Sequence, residues 1–267
     1  MQIRDMMVPV GEGLELEVRR MQHAERQGPV LVFLHESLGS IALWRKFPEK
    51  LARATGWDAL IYNRQGYGRS SPEVLPRPYD YLEVAGHRWL PRLLDRLEIP
   101  EAVLVGHSDG GSISLVAAGA MGSRVKALVT MAAHIYADHL TLAGLEEMAI
   151  RYRETDIRER LERYHGRRTD DLFSAWQTVW RDEGFHAAMD FSRWLAAIEC
   201  PAMIIQGEND EYGVPEQVTD IVAGIGANAR AVFLEDTGHS PHLEKTDQVA
   251  ALICDFLLSE IGQKNQN

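Results

Sequence analysis

Three observations predict an α/β architecture, a mostly parallel sheet with helices on both faces. Four short apolar runs, Pro29 to His35, Asp58 to Tyr62, Ala102 to Gly106 and Val125 to Met131, are bounded by turn residues and rich in Val, Leu and Ile. Runs of this kind are strands buried on both faces of a sheet. Segments with helical periodicity lie between them, from about Leu43 to Thr55, Tyr81 to Leu97 and Gly111 to Met121. Strand and helix therefore alternate, which implies right-handed crossovers that pack the helices over the sheet.

The remaining elements follow in order. The first twenty residues read as two short strands around the Gly11-Glu12-Gly13 turn, with a charged link from Gln22 to Gly28. From His134 to Ala197 no strand-like run occurs, and helical stretches around Ala143 to Tyr164 and Asp170 to Trp180 read as an inserted helical cap. Strands resume at Pro201 to Gln206 and Ala229 to Leu234, each followed by a helix, the last from about Lys245 to Glu260. The expected organisation is one core, residues 1–133 and 198–267, divided by a cap at 134–197. The polar tail from Gly262 to Asn267 is expected to fray.

With 267 residues, 45% hydrophobic and 25% charged, the chain can bury a sizeable core. Its formal charge of -11 repels nucleic acid and anionic membrane surfaces, so neither is expected as a partner. No stretch approaches the roughly 18 consecutive apolar residues of a bilayer span. The segment around Arg4, Asp5, Glu12 and Glu15 lacks a signal-peptide core, so the cytoplasm is the expected compartment. Cys200 and Cys254 stand apart from any zinc-like spacing and read as reduced core residues. A homodimer is compatible with the sequence.

The most informative segment is Gly106-His107-Ser108-Asp109-Gly110, placed between an apolar strand and a helical stretch. A Gly-x-Ser-x-Gly turn in that context holds the serine in a strained conformation with its hydroxyl exposed. The helix behind it aims free N–H groups and a positive dipole end at the site, where an oxyanion would form. Two later strands end in polar turns that could supply an acid and a base. Ile204 to Asp210 offers Glu208, Asp210 or, one residue on, Glu211 as the acid, and spacing alone leaves all three open. Leu234 to His242 offers His239 as the base, Gly238 permitting a tight approach, with His242 as a rival that reads as a surface or cap-facing histidine near a helix start. An imidazole suits the task because its ordinary pKa near about 6.5 lets it take and return a proton near neutrality.

On these residues the whole chain resembles the α/β-hydrolase superfamily with a helical cap, and its Gly-x-Ser-Asp-Gly-Gly elbow is similar to that of small-ester hydrolases such as the valacyclovirase-like group. The resemblance implies an eight-stranded, mostly parallel sheet and a triad of Ser108, Asp210 and His239. It also implies two oxyanion donors, the backbone N–H of Asp109 and one from His35-Glu36-Ser37-Leu38-Gly39, where Ser37 is preferred over Leu38. Glu36 stands where the family usually has glycine and reads as a solvated carboxylate or one paired with a nearby Arg.

Other features weigh less. Asn63 to Ser70 contains Gly66-Tyr67-Gly68, but a third glycine is missing and Pro72, Pro76 and Pro78 follow, so it reads as a tight bend and not a dinucleotide site. His134 with His139, or His239 with His242, lack a third metal ligand and read as polar surface or cap residues. Trp176, Trp180 and Trp194 read mainly as cap packing. Asp109, if it faced the pocket, would favour cationic substrates. The expected chemistry is two-step acyl transfer on a small-molecule ester, without metal or organic cofactor. A carbon–carbon bond hydrolase, thioesterase or lactonase would use the same triad, and a hydrolase-like binding protein would be expected to have lost part of it.

Overall fold

The computed structural model describes residues 1–25 and 27–262, so most of the tail expected to fray lies outside the described residues. Eight strands form one sheet in the order β1-β2-β4-β3-β5-β6-β7-β8: β1 Gln2–Gly11, β2 Leu14–Gln22, β3 Val30–Leu34, β4 Ala59–Tyr62, β5 Ala102–His107, β6 Val125–Met131, β7 Ala202–Gly207 and β8 Ala229–Leu234. The β1–β2 and β2–β4 pairs are antiparallel and the rest are parallel.

Burial follows from position in the sheet. Every residue of β3, β4, β5 and β7 is buried, whereas the edge strand β8 buries only Leu234. Successive side chains of a strand face opposite sides. Val30, Val32 and Leu34 accordingly join one core, with Leu104 and Ile204, while Leu31 and Phe33 join the other, with Val103 and Ile205. The helices divide in the same way. The second core holds α1 (Phe47–Thr55) and α12 (Thr246–Ile261). The first holds α2 (Tyr81–Val84), a π-helical turn Ala85–Trp89, α3 (Leu90–Arg96) and α4 (Asp109–Met121). Helix α4 has no polar face because it is covered all round; every residue from Asp109 to Ala118 is buried.

Between β6 and β7 lie five helices, α5 (His139–Glu154), α6 (Ile157–His165), α7 (Thr169–Trp180), α8 (Glu183–Ala188) and α9 (Ser192–Ala196). Helices α10 (Glu216–Ile225) and α11 (Pro241–Glu244) complete the chain. The single helical stretch expected from Ala143 to Tyr164 is two helices, broken at Thr155 and Asp156. Asp138 starts α5 by accepting the Leu140 and Thr141 N–H groups, while Thr141 returns a bond to the Asp138 N–H, a cap that fixes where the helix begins. His165 docks the α6–α7 junction on the core: its Nε2 donates to the Leu38 carbonyl at 3.0 Å and its Nδ1 accepts the Gly68 N–H at 3.3 Å. Arg168 donates to the Ser70 carbonyl at 2.7 Å and to that of Gly68.

Candidate active site

At the end of β5 the chain turns directly into α4 through Ser108, whose φ of 52° and ψ of -123° lie in a region that side chains rarely adopt. Strain of this kind is of order 1–3 kcal/mol and persists only where the surroundings enforce it. They do so here. The Ser108 N–H donates to the Met131 carbonyl at 2.9 Å, and the Ser108 carbonyl accepts the N–H groups of Gly111 and Ser112 at 2.7 and 3.0 Å. Glycine is needed on both sides because a Cβ at Gly106 would collide with the Gly110 carbonyl and one at Gly110 with the Leu34 carbonyl. Ser108→Gly is expected to raise Tm relative to Ser108→Ala, since both lose the hydroxyl and only glycine relaxes the dihedral; equal Tm values in calorimetry would remove the strain argument.

The loops that carry the candidate acid and base meet beside this turn. Asp210, in the loop after β7, accepts His239 Nδ1–H at 2.8 Å and the Tyr212 N–H at 2.9 Å, both through Oδ1. Of the other two acid candidates, Glu208 is exposed, and Glu211 accepts the His239 backbone N–H at 3.2 Å. The His239 carbonyl accepts from His107 Nε2 at 2.7 Å, so the residue before Ser108 braces the loop that carries His239. Burial alone would raise the Asp210 pKa, but the adjoining His239 and the Tyr212 N–H hold it below the usual carboxylate value. Burial likewise disfavours a charged His239, yet the Asp210 charge and hydrogen bond outweigh it and raise the imidazole above its ordinary 6.5. Ser108 and His239 line one cavity of 390 Å³, without a direct hydrogen bond between them. Bonds between nucleophile and base commonly tighten only once substrate is seated.

The loop after β3 is held by its carbonyls. That of Glu36 accepts from His35 Nδ1 at 2.7 Å, Arg64 Nη2 at 2.8 Å and the Gly39 N–H at 3.0 Å. That of Ser37 accepts from Tyr67 Oη at 2.6 Å, which in turn accepts from Arg77 Nη2 at 3.2 Å. A trans peptide carries its C=O and N–H on opposite sides. Fixing the Glu36 carbonyl toward Arg64 thus turns the Ser37 N–H the other way, and Ser37 lines the cavity. The Asp109 N–H, at the first position of α4, has no intrahelical partner.

Several expectations are corrected. The Glu36 carboxylate lies 3.6 Å from His107 Nδ1, and it is the Glu36 carbonyl, not the carboxylate, that meets Arg64. His242 is no surface residue: it is buried against Trp44 and His107, ring centroids 4.7 Å away in each case, and burial drives its pKa well down. His134 is also buried and lines the cavity, donating from Nε2 to the Tyr212 carbonyl at 2.9 Å, whereas His139 is exposed. Trp176 and Trp180 line the cavity, while Trp194 stacks on His87 instead. Asp109 lines the cavity, but its carboxylate is buried, accepts from Tyr81 Oη at 3.0 Å and lies 3.4 Å from the buried Arg64 guanidinium, so the structure gives its charge a partner within the protein.

Arg64, Tyr67, Tyr81 and His107 were not singled out as site residues in the sequence. Arg64 and Tyr67 belong to the Asn63 to Ser70 segment, read there only as a bend; the bend serves to present both side chains to the Glu36–Ser37 loop. Tyr81 extends the bracing outward, since it accepts from Trp180 Nε1 of α7 at 2.9 Å.

Comparison with known proteins agrees with this architecture. Serine hydrolase BPHL of Homo sapiens is 28% identical over 217 residues, 78% of this chain and 70% of that protein. The 2-hydroxy-6-oxononadienedioate/2-hydroxy-6-oxononatrienedioate hydrolase of Cupriavidus pinatubonensis is 28% identical over 254 residues, covering 85% of this chain and 86% of that one. Among solved structures, the enol-lactonase from Burkholderia xenovorans superposes with a TM-score of 0.73 at 19% identity, over 94% of this chain and 99% of the other. The profile of the alpha/beta hydrolase fold matches residues 29–179, more than half the sequence, and the chain belongs to that family of hydrolases.

Proposed function

We propose that this chain is a serine hydrolase that cleaves a small-molecule carboxylic ester through an acyl-enzyme intermediate, with Ser108 as nucleophile, His239 as base and Asp210 as its orienter. The observation that carries the reading is the 2.8 Å bond from His239 Nδ1 to Asp210, beside a strained Ser108 in the same cavity. Asp210 selects the tautomer that leaves Nε2 free to accept the Ser108 proton. The Ser108 oxygen then attacks the ester carbonyl, and the developing oxyanion is held by the Ser37 and Asp109 N–H groups. As the tetrahedral adduct collapses, protonated His239 returns the proton to the departing alcohol. Water, activated by the same imidazole, releases the acid in a second step.

In this reading residues 134–197 act as a cap whose inner surface shapes the acyl pocket, and the cytoplasm is the compartment, in keeping with free thiols at Cys200 and Cys254. No described helix is long and apolar enough to cross a membrane. The chemistry of bond choice is tested by a panel of p-nitrophenyl esters, thioesters, lactones and vinylogous diketones. Esters are expected to give the highest kcat/KM; turnover of diketones with inert esters would transfer the assignment to carbon–carbon bond hydrolysis, the activity named for the Cupriavidus relative.

A further inference from the structure

The cavity is polarised in a way that its catalytic floor does not require. Four arginines line it, Arg45, Arg151, Arg160 and Arg163, against three carboxylates, Glu36, Asp109 and Glu211, in a chain whose formal charge is -11. Each of the three carboxylates has a partner in the site: Asp109 has Tyr81 and Arg64, Glu36 faces His107, and Glu211 accepts the His239 N–H. The arginines are otherwise placed. All four are exposed, and the guanidiniums of Arg45, Arg151 and Arg163 make no hydrogen bond or ion pair among the described residues. Arg160 makes only a loose contact with Asp156, at 3.7 Å between two exposed side chains.

Their position follows from the helices that carry them. On α6, Ile157, Arg160, Leu161 and Tyr164 recur at the spacing of one helical face, and all four line the cavity. Arg151 comes from α5, and Arg45 from the core segment just before α1. Leu145, Met148 and Trp176 supply apolar wall to the same cavity. A ligand that matches this lining has an ester at Ser108, an apolar spacer and a charged end of negative sign. Guanidinium groups present paired N–H donors that fit a carboxylate or phosphate. Singly, exposed pairs of this kind contribute little; together, in a cleft walled by protein, like charges focus the field and concentrate an oppositely charged ligand.

We propose that Arg45, Arg151, Arg160 and Arg163 form a receptor for a compact anion, a carboxylate or phosphate, carried by the substrate on the part remote from the scissile bond. This rests on the ester-hydrolase reading above and names its substrate class.

The test compares kcat/KM for a neutral p-nitrophenyl hexanoate with its carboxylate-ended, phosphate-ended and amine-ended counterparts of similar length. Preference for one or both anionic esters over the neutral one by about tenfold or more at low salt is expected, shrinking as salt is added. A preference for the carboxylate or for the phosphate identifies which anion the site takes. Equal values for neutral and anionic esters, or preference for the amine, would overturn the proposal. The triple change Arg151→Gln, Arg160→Gln, Arg163→Gln is expected to lower the anionic-to-neutral ratio toward one, and the corresponding Arg→Lys changes to retain most of it; a ratio unmoved by the Gln changes would also overturn it. Calorimetric binding of monomethyl adipate and dimethyl adipate to Ser108→Ala protein needs no turnover. Tighter binding of the monoester with every p-nitrophenyl ester inert would sink the hydrolase reading and leave the anion site standing. Ester turnover with equal binding of the two adipates, and no kinetic preference for the phosphate-ended ester over the neutral one, would sink the anion site alone.

Discussion

Ser108→Ala is expected to leave a folded protein whose turnover of a p-nitrophenyl ester falls by roughly ten-thousand-fold or more, the scale seen when a triad nucleophile is removed. The fold survives because the bonds that pin residue 108 run through its backbone, to Met131, Gly111 and Ser112, and alanine keeps the same Cβ in the same strained dihedral. Activity does not, because the attacking oxygen is gone, and the next hydroxyl along α4, that of Ser112, is fully buried and donates to the His134 carbonyl at 2.6 Å. Circular dichroism and steady-state kinetics on the same preparation check both halves. Ester turnover within tenfold of the parent protein would contradict the role given to Ser108.

Asp210→Asn is expected to lower kcat by roughly a thousand- to ten-thousand-fold, since an amide can hold the wrong imidazole tautomer while keeping the geometry. It should also move the pH profile in a defined direction. In the proposed mechanism catalysis needs neutral His239, so activity is expected to fall as pH drops through the imidazole pKa. In the parent protein Asp210 raises that pKa above 6.5, which places the acidic limb of kcat/KM above 6.5. Without the aspartate charge, burial is left to dominate and favours the neutral ring, so the limb shifts to lower pH. A limb that stays in place in Asp210→Asn would show that some other group titrates.

Much of this arrangement was legible in the sequence because it depends on local pattern. Val125–Met131 and Ala229–Leu234 could be bounded to the residue, since a short apolar run between turn residues has few alternatives in an alternating chain. The Gly106 to Gly110 turn was equally clear, as its glycines answer to backbone contacts that any such turn must make. What escaped was tertiary. The break at Thr155–Asp156 has no Pro or Gly to announce it, and α8 and α9 are too short to establish a period. The burial of His242 and His134 depends on which elements cover them, Trp44 and Phe47 for the one and Trp180 for the other, from segments distant in the chain. For the same reason Arg64 read as part of a bend. Its contacts with Glu36 and Asp109 lie 28 and 45 residues away and carry no local signature.

The bracing around Arg64 gives these distant contacts a shared purpose. One buried guanidinium reaches the Glu36 carbonyl and faces the Asp109 carboxylate, so the two segments proposed to offer N–H groups to the oxyanion are tied to the same side chain. Tyr81 joins the Asp109 carboxylate to Trp180 of the inserted helices, so the floor of the cavity and one of its walls are mechanically linked.

The central claim is that an imidazole oriented by Asp210 makes one hydroxyl, that of residue 108, nucleophilic. Fluorophosphonate labelling followed by peptide mass mapping addresses it most directly: a single adduct on the peptide containing Ser108 is predicted in the parent protein, with labelling strongly slowed in His239→Ala. An adduct on a different residue, or equal labelling rates with and without the imidazole, would contradict it.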